Sequence, residues 1–143
     1  MQLPDVNILV AGFREDSADH AICRAWLERL VRGDESFAIS DLVCSGFLRI
    51  VTHPRIFAAP TPLSEALDFL DWLRGQPNCS IVAPGVRHWD IFTGLCRSSA
   101  ARGNLIPDAF LAGLAIESGS EWITMDGDFA RFTGLRWQRP TMP

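Results

Sequence analysis

Four aspartates lie where a strand is predicted to end or a helix to begin. Asp5 ends an apolar N-terminal strand, and Asp41 opens a helix directly after the second strand. Asp108 lies in the first turn of a nearly all-apolar helix, and Asp126 directly follows the strand predicted at 121–124. Because the carboxyl ends of parallel strands lie at one edge of a sheet, we expect these four side chains at the same edge.

A cluster of carboxylates predicts a particular chemistry. Two carboxylates ~5 Å apart repel each other by roughly 3 kcal/mol at an effective dielectric constant of ~20. Such a cluster either takes up protons or binds cations, and Mg²⁺ and Mn²⁺ prefer oxygen ligands. One or two such ions can activate a water and hold phosphate oxygens during an in-line displacement. The residues alone therefore predict metal-dependent hydrolysis of a phosphodiester.

Three of the four aspartates also have a structural explanation. The helix macrodipole favours an acid in the first turn by about 0.3–1 kcal/mol, which applies to Asp41 and Asp108. Asp126 belongs to an Asp-Gly pair, which is typical of a turn. Asp5 is the hardest to explain structurally, because it interrupts an apolar run.

Short strands alternate with helices along the chain. Strands are predicted near 2–5, 36–39, 79–82, 121–124 and 135–138, and helices near 18–32, 41–52, 63–74, 89–102 and 109–118. This alternation indicates an α/β fold with a short, mostly parallel sheet of about four to five strands, flanked by helices on both faces. We expect one domain over residues 1–143.

The composition excludes several classes of protein. With 48% hydrophobic residues and a mean hydropathy of +0.11, the chain of 143 residues is expected to be compact and globular. Its apolar runs are too short to span a bilayer, and its N-terminus lacks the basic segment of a secretory signal, so we expect a cytoplasmic protein. The four cysteines form no CxxC pair and are expected to be reduced thiols, mostly buried.

The charge is unevenly distributed. The formal net charge is −4, and all 13 basic residues are arginines. The segments 42–64, 91–107 and 129–143 each contain arginine and no acid. Such segments can present local basic surface to a phosphate backbone, although arginines that simply solvate helix faces explain them equally well.

Three blocks of sequence resemble PIN-domain ribonucleases, and specifically the VapC toxins of bacterial type II toxin–antitoxin systems. LPDVNILV is similar to the first acidic motif of that family, and SDLVCSGFLRIVTHPRIF to the second motif with its helix. GNLIPDAFLAGLAIESGSEWITMDGDFARF is similar to the third and fourth motifs and is the most specific of the three. The resemblance covers essentially the whole chain and implies a PIN-like fold.

The resemblance implies a set of site residues. Asp5, Asp41, Asp108 and Asp126 would be the catalytic, metal-binding acids, with Asp128 as an auxiliary carboxylate. The second acid is often Glu in this family, so the shorter Asp41 would coordinate through water. Hydrogen bonds from three polar residues would support the site: Asn7, Asn104 and Thr124.

The resemblance also implies an activity and partners. The protein would be a Mg²⁺- or Mn²⁺-dependent endoribonuclease toxin that cleaves structured RNA, tRNA or rRNA, and inhibits translation. It would form a homodimer and be neutralised by a VapB-type antitoxin that inserts an arginine toward the acids. The alternative is a catalytically idle PIN module that only binds RNA or protein.

Contacts to RNA and antitoxin are less specified by the motifs. The candidate RNA-binding arginines are Arg49, Arg55, Arg97 and Arg102. Trp26 and Phe47, on helices that would face the antitoxin, are candidate groove residues, but burial tendencies favour core packing. Core packing is also favoured for Trp89, with stacking on a base as the alternative.

Overall fold

The computed structural model describes residues 1–142 and contains a parallel sheet of five strands. The strands are β1 (Gln2–Pro4), β2 (Phe37–Ser40), β3 (Cys79–Val82), β4 (Glu121–Ile123) and β5 (Trp137–Gln138). The helices are α1 (Val6–Phe13), α2 (His20–Arg32), α3 (Asp41–Val51), α4 (Leu63–Arg74), α5 (His88–Ser98) and α6 (Leu105–Ser118), and one 3₁₀ turn spans Gly127–Arg131. The predicted α/β class is confirmed.

The strand order is β3-β2-β1-β4-β5, and every neighbouring pair is parallel. From β1 the chain moves outward through β2 to β3, then crosses back past both to form β4 on the other side of β1. Right-handed crossovers therefore place α1 to α4 on one face of the sheet and the α5–α6 pair on the other. The direction of winding reverses between β1 and β4.

The helix α6 is buried, as its apolar sequence predicts. Ala109, Leu111, Ala112, Gly113, Leu114 and Ala115 are all inaccessible or nearly so. Its C-cap is Gly119, whose φ of 67° lies in the left-handed region. In this conformation the backbone N–H of Gly119 donates to carbonyl groups of the last helical turn. Pro107 lies in the first turn, where its missing N–H leaves no hydrogen bond unmade.

Two sequence-based expectations differ from the structure. The helix predicted at 89–102 ends at Ser98, because Ala100 takes a φ of 50° and Gly103 a φ of 57°, which interrupts the helix. Trp89 is 66% exposed, so its predicted core role is wrong. By contrast, Trp26 is 4% and Phe47 0% exposed, which confirms core packing for both.

The remaining expectations concern the thiols and the membrane. Cys23 and Cys44 are buried, Cys79 and Cys96 are partly buried, and all four are free. Over residues 1–142, the structure has no helix with the length and apolar character needed to cross a bilayer.

Candidate active site

Asp5 lies at the centre of the site, where β1 ends and α1 begins. Its side chain is the N-cap of α1, with Oδ1 accepting a hydrogen bond from the Val6 backbone N–H at 2.6 Å. Oδ2 accepts from the Thr124 hydroxyl at 2.6 Å and from the Asn7 amide at 3.2 Å. The residue is only 7% exposed, so these donors compensate a carboxylate that is largely withdrawn from water.

Thr124 joins the ends of β1 and β4. Its Oγ1 donates to Asp5 and accepts from the Asp126 backbone N–H at 3.0 Å and the Asn7 side-chain amide at 3.1 Å. One donor and two acceptors complete the hydrogen bonding of a hydroxyl, which explains why Thr124 can be fully buried. Asn7 Oδ1 accepts from the Met125 backbone N–H at 3.1 Å, so the same network also fixes the chain after β4.

Asp126 begins the 3₁₀ turn after β4. Its Oδ1 accepts from the Asp128 backbone N–H at 2.9 Å, which is the N-cap arrangement expected for this turn. Asp128 itself is exposed, and its carboxylate lies 3.8 Å from Arg131 on the same turn. Asp128 therefore lies beside the site without lining its cavity.

One cavity of about 550 Å³ brings these elements together. Asp5 and Asn7 contribute from the start of α1, Asp108 from the first turn of α6, and Asp126 from the end of β4. The remainder of the lining is mostly apolar. Three of the four predicted acids therefore face a single cavity at the reversal point of the sheet, where α/β proteins commonly bind ligands.

Burial and mutual repulsion raise the pKa of two of these acids. Burial raises the pKa of Asp5 to about 6, against the hydrogen bonds from Thr124 and Val6 and with repulsion from Asp108 and Asp126. The pKa of Asp108 is also raised, first by burial and then by the charges of Asp126 and Asp128. The acids thus repel one another across the cavity, and a cation there would relieve the repulsion.

Asp41, the fourth predicted acid, is not brought to this cavity. It follows β2 and opens α3 as predicted, but its side chain is 78% exposed and lies 2.6 Å from Arg74 Nη1. Arg74 ends α4, which packs beside α3, so the carboxylate pairs with a side chain of that neighbouring helix. Asp41 does not line the cavity.

The donor set suits a hard divalent cation. Asp5, Asp108 and Asp126 offer only carboxylate oxygens, the ligand type that Mg²⁺ and Mn²⁺ prefer. Within residues 1–142, no three His, Cys, Asp or Glu side chains converge closely enough to hold one ion directly. Mg²⁺ characteristically keeps several waters and binds through only one or two carboxylates, so a cavity of this size with these three aspartates in its lining fits such an ion.

The polar candidates outside the acids divide into those in the cavity and those away from it. Arg49 lines the cavity and forms no ion pair with another residue of the described chain. Arg55, Arg97 and Arg102 are exposed and lie outside it. Asn104 is the exposed N-cap residue of α6 and makes no side-chain capping bond.

Sequence reasoning missed several residues that line the cavity. Ile56 and Phe57, from the loop after α3, line it together with Ser17 and Asp19 from the segment between α1 and α2. Asp19 is the N-cap residue of α2 and makes no side-chain capping bond. No spacing pattern marks these residues, because their positions depend on how two loops fold back toward the acids.

Comparison with known proteins gives a consistent result. A family model described as PIN domain matches residues 3–135. Ribonuclease VapC25 of Mycobacterium tuberculosis is 40% identical over 140 residues, covering 98% of this chain and 99% of the relative. Ribonuclease VapC43 of the same species is 43% identical over 136 residues, covering 95% and 92%.

Solved structures show the same fold at low sequence identity. VapBC2 from Rickettsia felis, bound to a DNA fragment from its promoter, matches with a TM-score of 0.71 and 18% identity, covering 96% of this chain and 97% of the other. The sarcin-ricin loop cleaving toxin VapC20 of Mycobacterium tuberculosis matches with a TM-score of 0.64 and 15% identity, covering 95% and 99%.

Proposed function

Because the chain belongs to the PIN-domain family, and within it to the VapC ribonucleases, we propose that it is the endoribonuclease toxin of a VapBC toxin–antitoxin system. The observation that carries this proposal is the convergence of Asp5, Asp108 and Asp126, from three separate elements, on one cavity. The raised pKa of the buried Asp5 is a second support, because carboxylates in this state favour a bound cation.

Each residue of the site has a distinct role in the proposal. Asp5, Asp108 and Asp126 bind Mg²⁺ or Mn²⁺ partly through the waters that the ion keeps, with Asp128 as an auxiliary carboxylate at the rim. When bound, such an ion supplies the positive charge that activates a water and neutralises phosphate oxygens. Thr124 and Asn7 fix the carboxylate of Asp5 by hydrogen bonds. Asn104, at the start of α6, is the third residue proposed to support the site.

The reaction is hydrolysis of an RNA phosphodiester, in which water attacks phosphorus and the 3′ oxygen leaves. Arg49 is the candidate among the four arginines that lies in the cavity, where it can pair with a phosphate of the bound strand. Arg55, Arg97 and Arg102 would contact more distant phosphates. The RNA is structured cellular RNA, tRNA or rRNA, which places the protein in the cytoplasm.

The proposal includes two protein partners. A VapB-type antitoxin would neutralise the toxin, with an arginine placed among the acids, and a second copy of the chain would complete a homodimer. Similarity in fold to VapBC2 supports the antitoxin. The repulsion among Asp5, Asp108 and Asp126 supports the arginine, because a guanidinium relieves it as a metal ion would.

Induction in a bacterial host, combined with mapping of cleaved RNA ends, tests the proposal. Wild type should arrest growth and leave discrete new RNA ends. Asp108→Asn should relieve the arrest and lower cleavage by at least ~10²-fold. Loss of a group that only supports a metal ligand lowers activity by about 10- to 100-fold, and loss of a metal-binding acid should lower it at least as much. Asp68→Asn, on the exposed face of α4, is the matched control and should behave as wild type.

The same experiment decides the role of Asp41 and the idle alternative. Asp41→Asn removes an exposed ion pair worth about 0–1 kcal/mol, and we expect it to lower cleavage far less than Asp108→Asn does. A folded Asp108→Asn protein that remains as toxic as wild type would show that the metal-site mechanism is wrong. Binding of RNA by wild type without any new RNA ends would favour the catalytically idle module.

A further inference from the structure

The cavity has apolar lining residues that the proposed hydrolysis does not use. They include Ile50 from α3 and Ile56 and Phe57 from the loop that follows α3. We call these three residues the apolar wall. Ile56 is 51% exposed, so part of this wall is accessible to a ligand.

The loop that carries the apolar wall is well ordered by its own hydrogen bonds. The backbone N–H groups of Ile56 and Phe57 both donate to the His53 carbonyl, each at 3.1 Å. At the far end, the Thr61 N–H donates to the Val51 carbonyl at 2.8 Å, which closes the loop back onto α3. The wall is therefore pre-formed, as surfaces that recognise a ligand commonly are.

Arg14, from the end of α1, holds this loop in place. Its Nη1 donates to the Ala59 carbonyl at 2.7 Å and to the Thr61 hydroxyl at 3.1 Å, and its guanidinium carbon lies 3.9 Å from the centre of the Phe57 ring. Asp16 orients the guanidinium with two further bonds, at 2.9 and 2.6 Å. Only 12% of the Arg14 side chain is exposed, so the cation is used inside the protein and not on the surface.

We propose that the apolar wall binds one unstacked nucleobase of the RNA next to the cleaved phosphate, and that Arg14 is the positioning residue that presents Phe57 to it. This inference rests on the proposed function. A phosphodiester held among Asp5, Asp108 and Asp126 brings its attached nucleoside into the same cavity, which the apolar wall also lines. Bases freed from a stack pack on aromatic side chains in this way.

The cavity is lined by four acids, Asp5, Asp19, Asp108 and Asp126, and by one cation, Arg49, so binding of an RNA strand there depends on the metal ion of the proposed function. Arg49 directly precedes Ile50 and lines the same cavity, so a cation for a backbone phosphate lies beside an apolar surface for a base. That combination of a cation for the backbone and an aromatic for the base is characteristic of single-stranded nucleic-acid sites. The wall would thus contribute to which nucleotide is accepted beside the cut.

Cleavage of RNA hairpins with randomised loops tests the inference. The proteins compared are wild type, Phe57→Ala, Phe57→Leu, Phe57→Trp and Arg14→Lys. Phe57→Ala should raise KM about 5- to 100-fold, the scale of one lost base-stacking contact, with a much smaller change in kcat. It should also flatten the nucleotide preference at one position beside the cut.

The other variants separate stacking from simple loss of volume or fold. Phe57→Trp should restore both KM and the preference, whereas Phe57→Leu, which keeps an apolar side chain without a ring, should not. Arg14→Lys keeps the charge and loses the fork to Ala59 and Thr61, so it should shift KM and the preference in the same direction as Phe57→Ala. Trp72→Ala, at an exposed aromatic of α4 outside the cavity, is the matched control and should leave both unchanged.

Two outcomes would overturn the inference. If folded Phe57→Ala keeps the wild-type KM and cut-site preference, the wall binds no base; weaker binding of a VapB-type antitoxin by that variant would then assign the wall to the protein partner. If wild type cleaves no RNA, the proposed function fails separately. The base subsite is then tested by binding of the same hairpins, measured by fluorescence anisotropy. Equal affinity of wild type and Phe57→Ala would overturn it as well.

Discussion

Asp5 is a carboxylate whose unfavourable environment in the folded protein would be relieved by a bound cation. The carboxylate is nearly buried, accepts three hydrogen bonds and is repelled by Asp108 and Asp126. The hydrogen bonds orient it, but burial outweighs them and raises its pKa to about 6. The folded protein therefore carries a destabilised anion near neutral pH, and a bound cation would remove much of that cost.

The first prediction is a pH dependence of stability in the absence of divalent cations. Because the pKa of Asp5 is higher in the folded state, about 6, than in the unfolded chain, about 3.9, the folded state binds the proton more tightly between these values. The contribution of Asp5 to the free energy of unfolding is fully present below about pH 4. It should fall by about 3 kcal/mol as the pH rises to above 6.

Urea unfolding of wild type and Asp5→Asn from pH 4 to 7.5 measures this contribution, because other titrating groups cancel in the difference between the two proteins. The difference should change with pH in the direction given, with wild type losing stability relative to the variant as the pH rises. A difference that is constant with pH would contradict the prediction. An NMR titration of the Asp5 carboxyl carbon in wild type gives the folded pKa directly, even if the variant folds poorly.

At the scale of elements, α6 positions the site because its ends are fixed. Its first turn brings Asp108 to the cavity, and Gly119 ends it in the left-handed conformation before β4 begins. Along its length the helix approaches α5 closely: a Cβ on Gly113 would lie 3.4 Å from His88 Nε2 and from the Phe92 backbone. The close packing of α6 therefore fixes the position of Asp108 relative to the strand that leads to Asp126.

The second prediction compares two glycines. Gly119→Ala should lower the free energy of unfolding by about 1–2 kcal/mol, because a side chain is strained at a φ of 67°. Gly94→Ala, in the middle of α5, should raise it by about 0.5–1 kcal/mol, since alanine favours helix and no described atom lies within 4 Å of a Cβ placed there. Chemical unfolding measures both, and the same sign of change for the two variants would contradict the argument.

At the scale of the whole molecule, the sheet order creates the site. β1 and β4 are neighbours although 119 positions separate Asp5 from Thr124, and the hydrogen bond between these residues closes the point where the winding reverses. β2 is also a neighbour of β1, but Asp41 at its end pairs with Arg74 of α4. Strand order therefore brings Asp5 and Asp126 together, whereas the packing of α4 beside α3 gives Asp41 a different partner.

The third prediction is a stabilisation of the folded protein by metal. At a free Mg²⁺ or Mn²⁺ concentration about 100 times the dissociation constant, binding should add ~2.7 kcal/mol to the free energy of unfolding. For a chain of this size that corresponds to a rise in Tm of roughly 5–10 °C. Differential scanning calorimetry of wild type with and without the ion measures it.

Matched variants locate the ion. Asp108→Asn should abolish most of the rise in Tm, while its own Tm without metal should be higher than that of wild type, because a repelled carboxylate has been removed. Asp68→Asn should keep the full rise. An equal rise in Asp108→Asn and wild type would place the ion elsewhere.

The sequence by itself determined the classes and ends of most elements and the places of the acids along the chain. Local patterns are sufficient for this, because apolar periodicity, glycine at a helix end and an acid at a helix start act within a few residues. On that basis the α/β class and the apolar helix at 109–118 were predicted and are confirmed.

Only the tertiary structure decided how side chains are directed and paired. Asp41 pairs with Arg74 across 33 positions, Arg49 lines the acidic cavity, Trp89 points to solvent, and Arg14 fixes a loop 45 positions away to form the apolar wall. These outcomes depend on which helices pack together and how a loop folds back. A contact between residues far apart in the sequence cannot be predicted from the local sequence pattern around either residue.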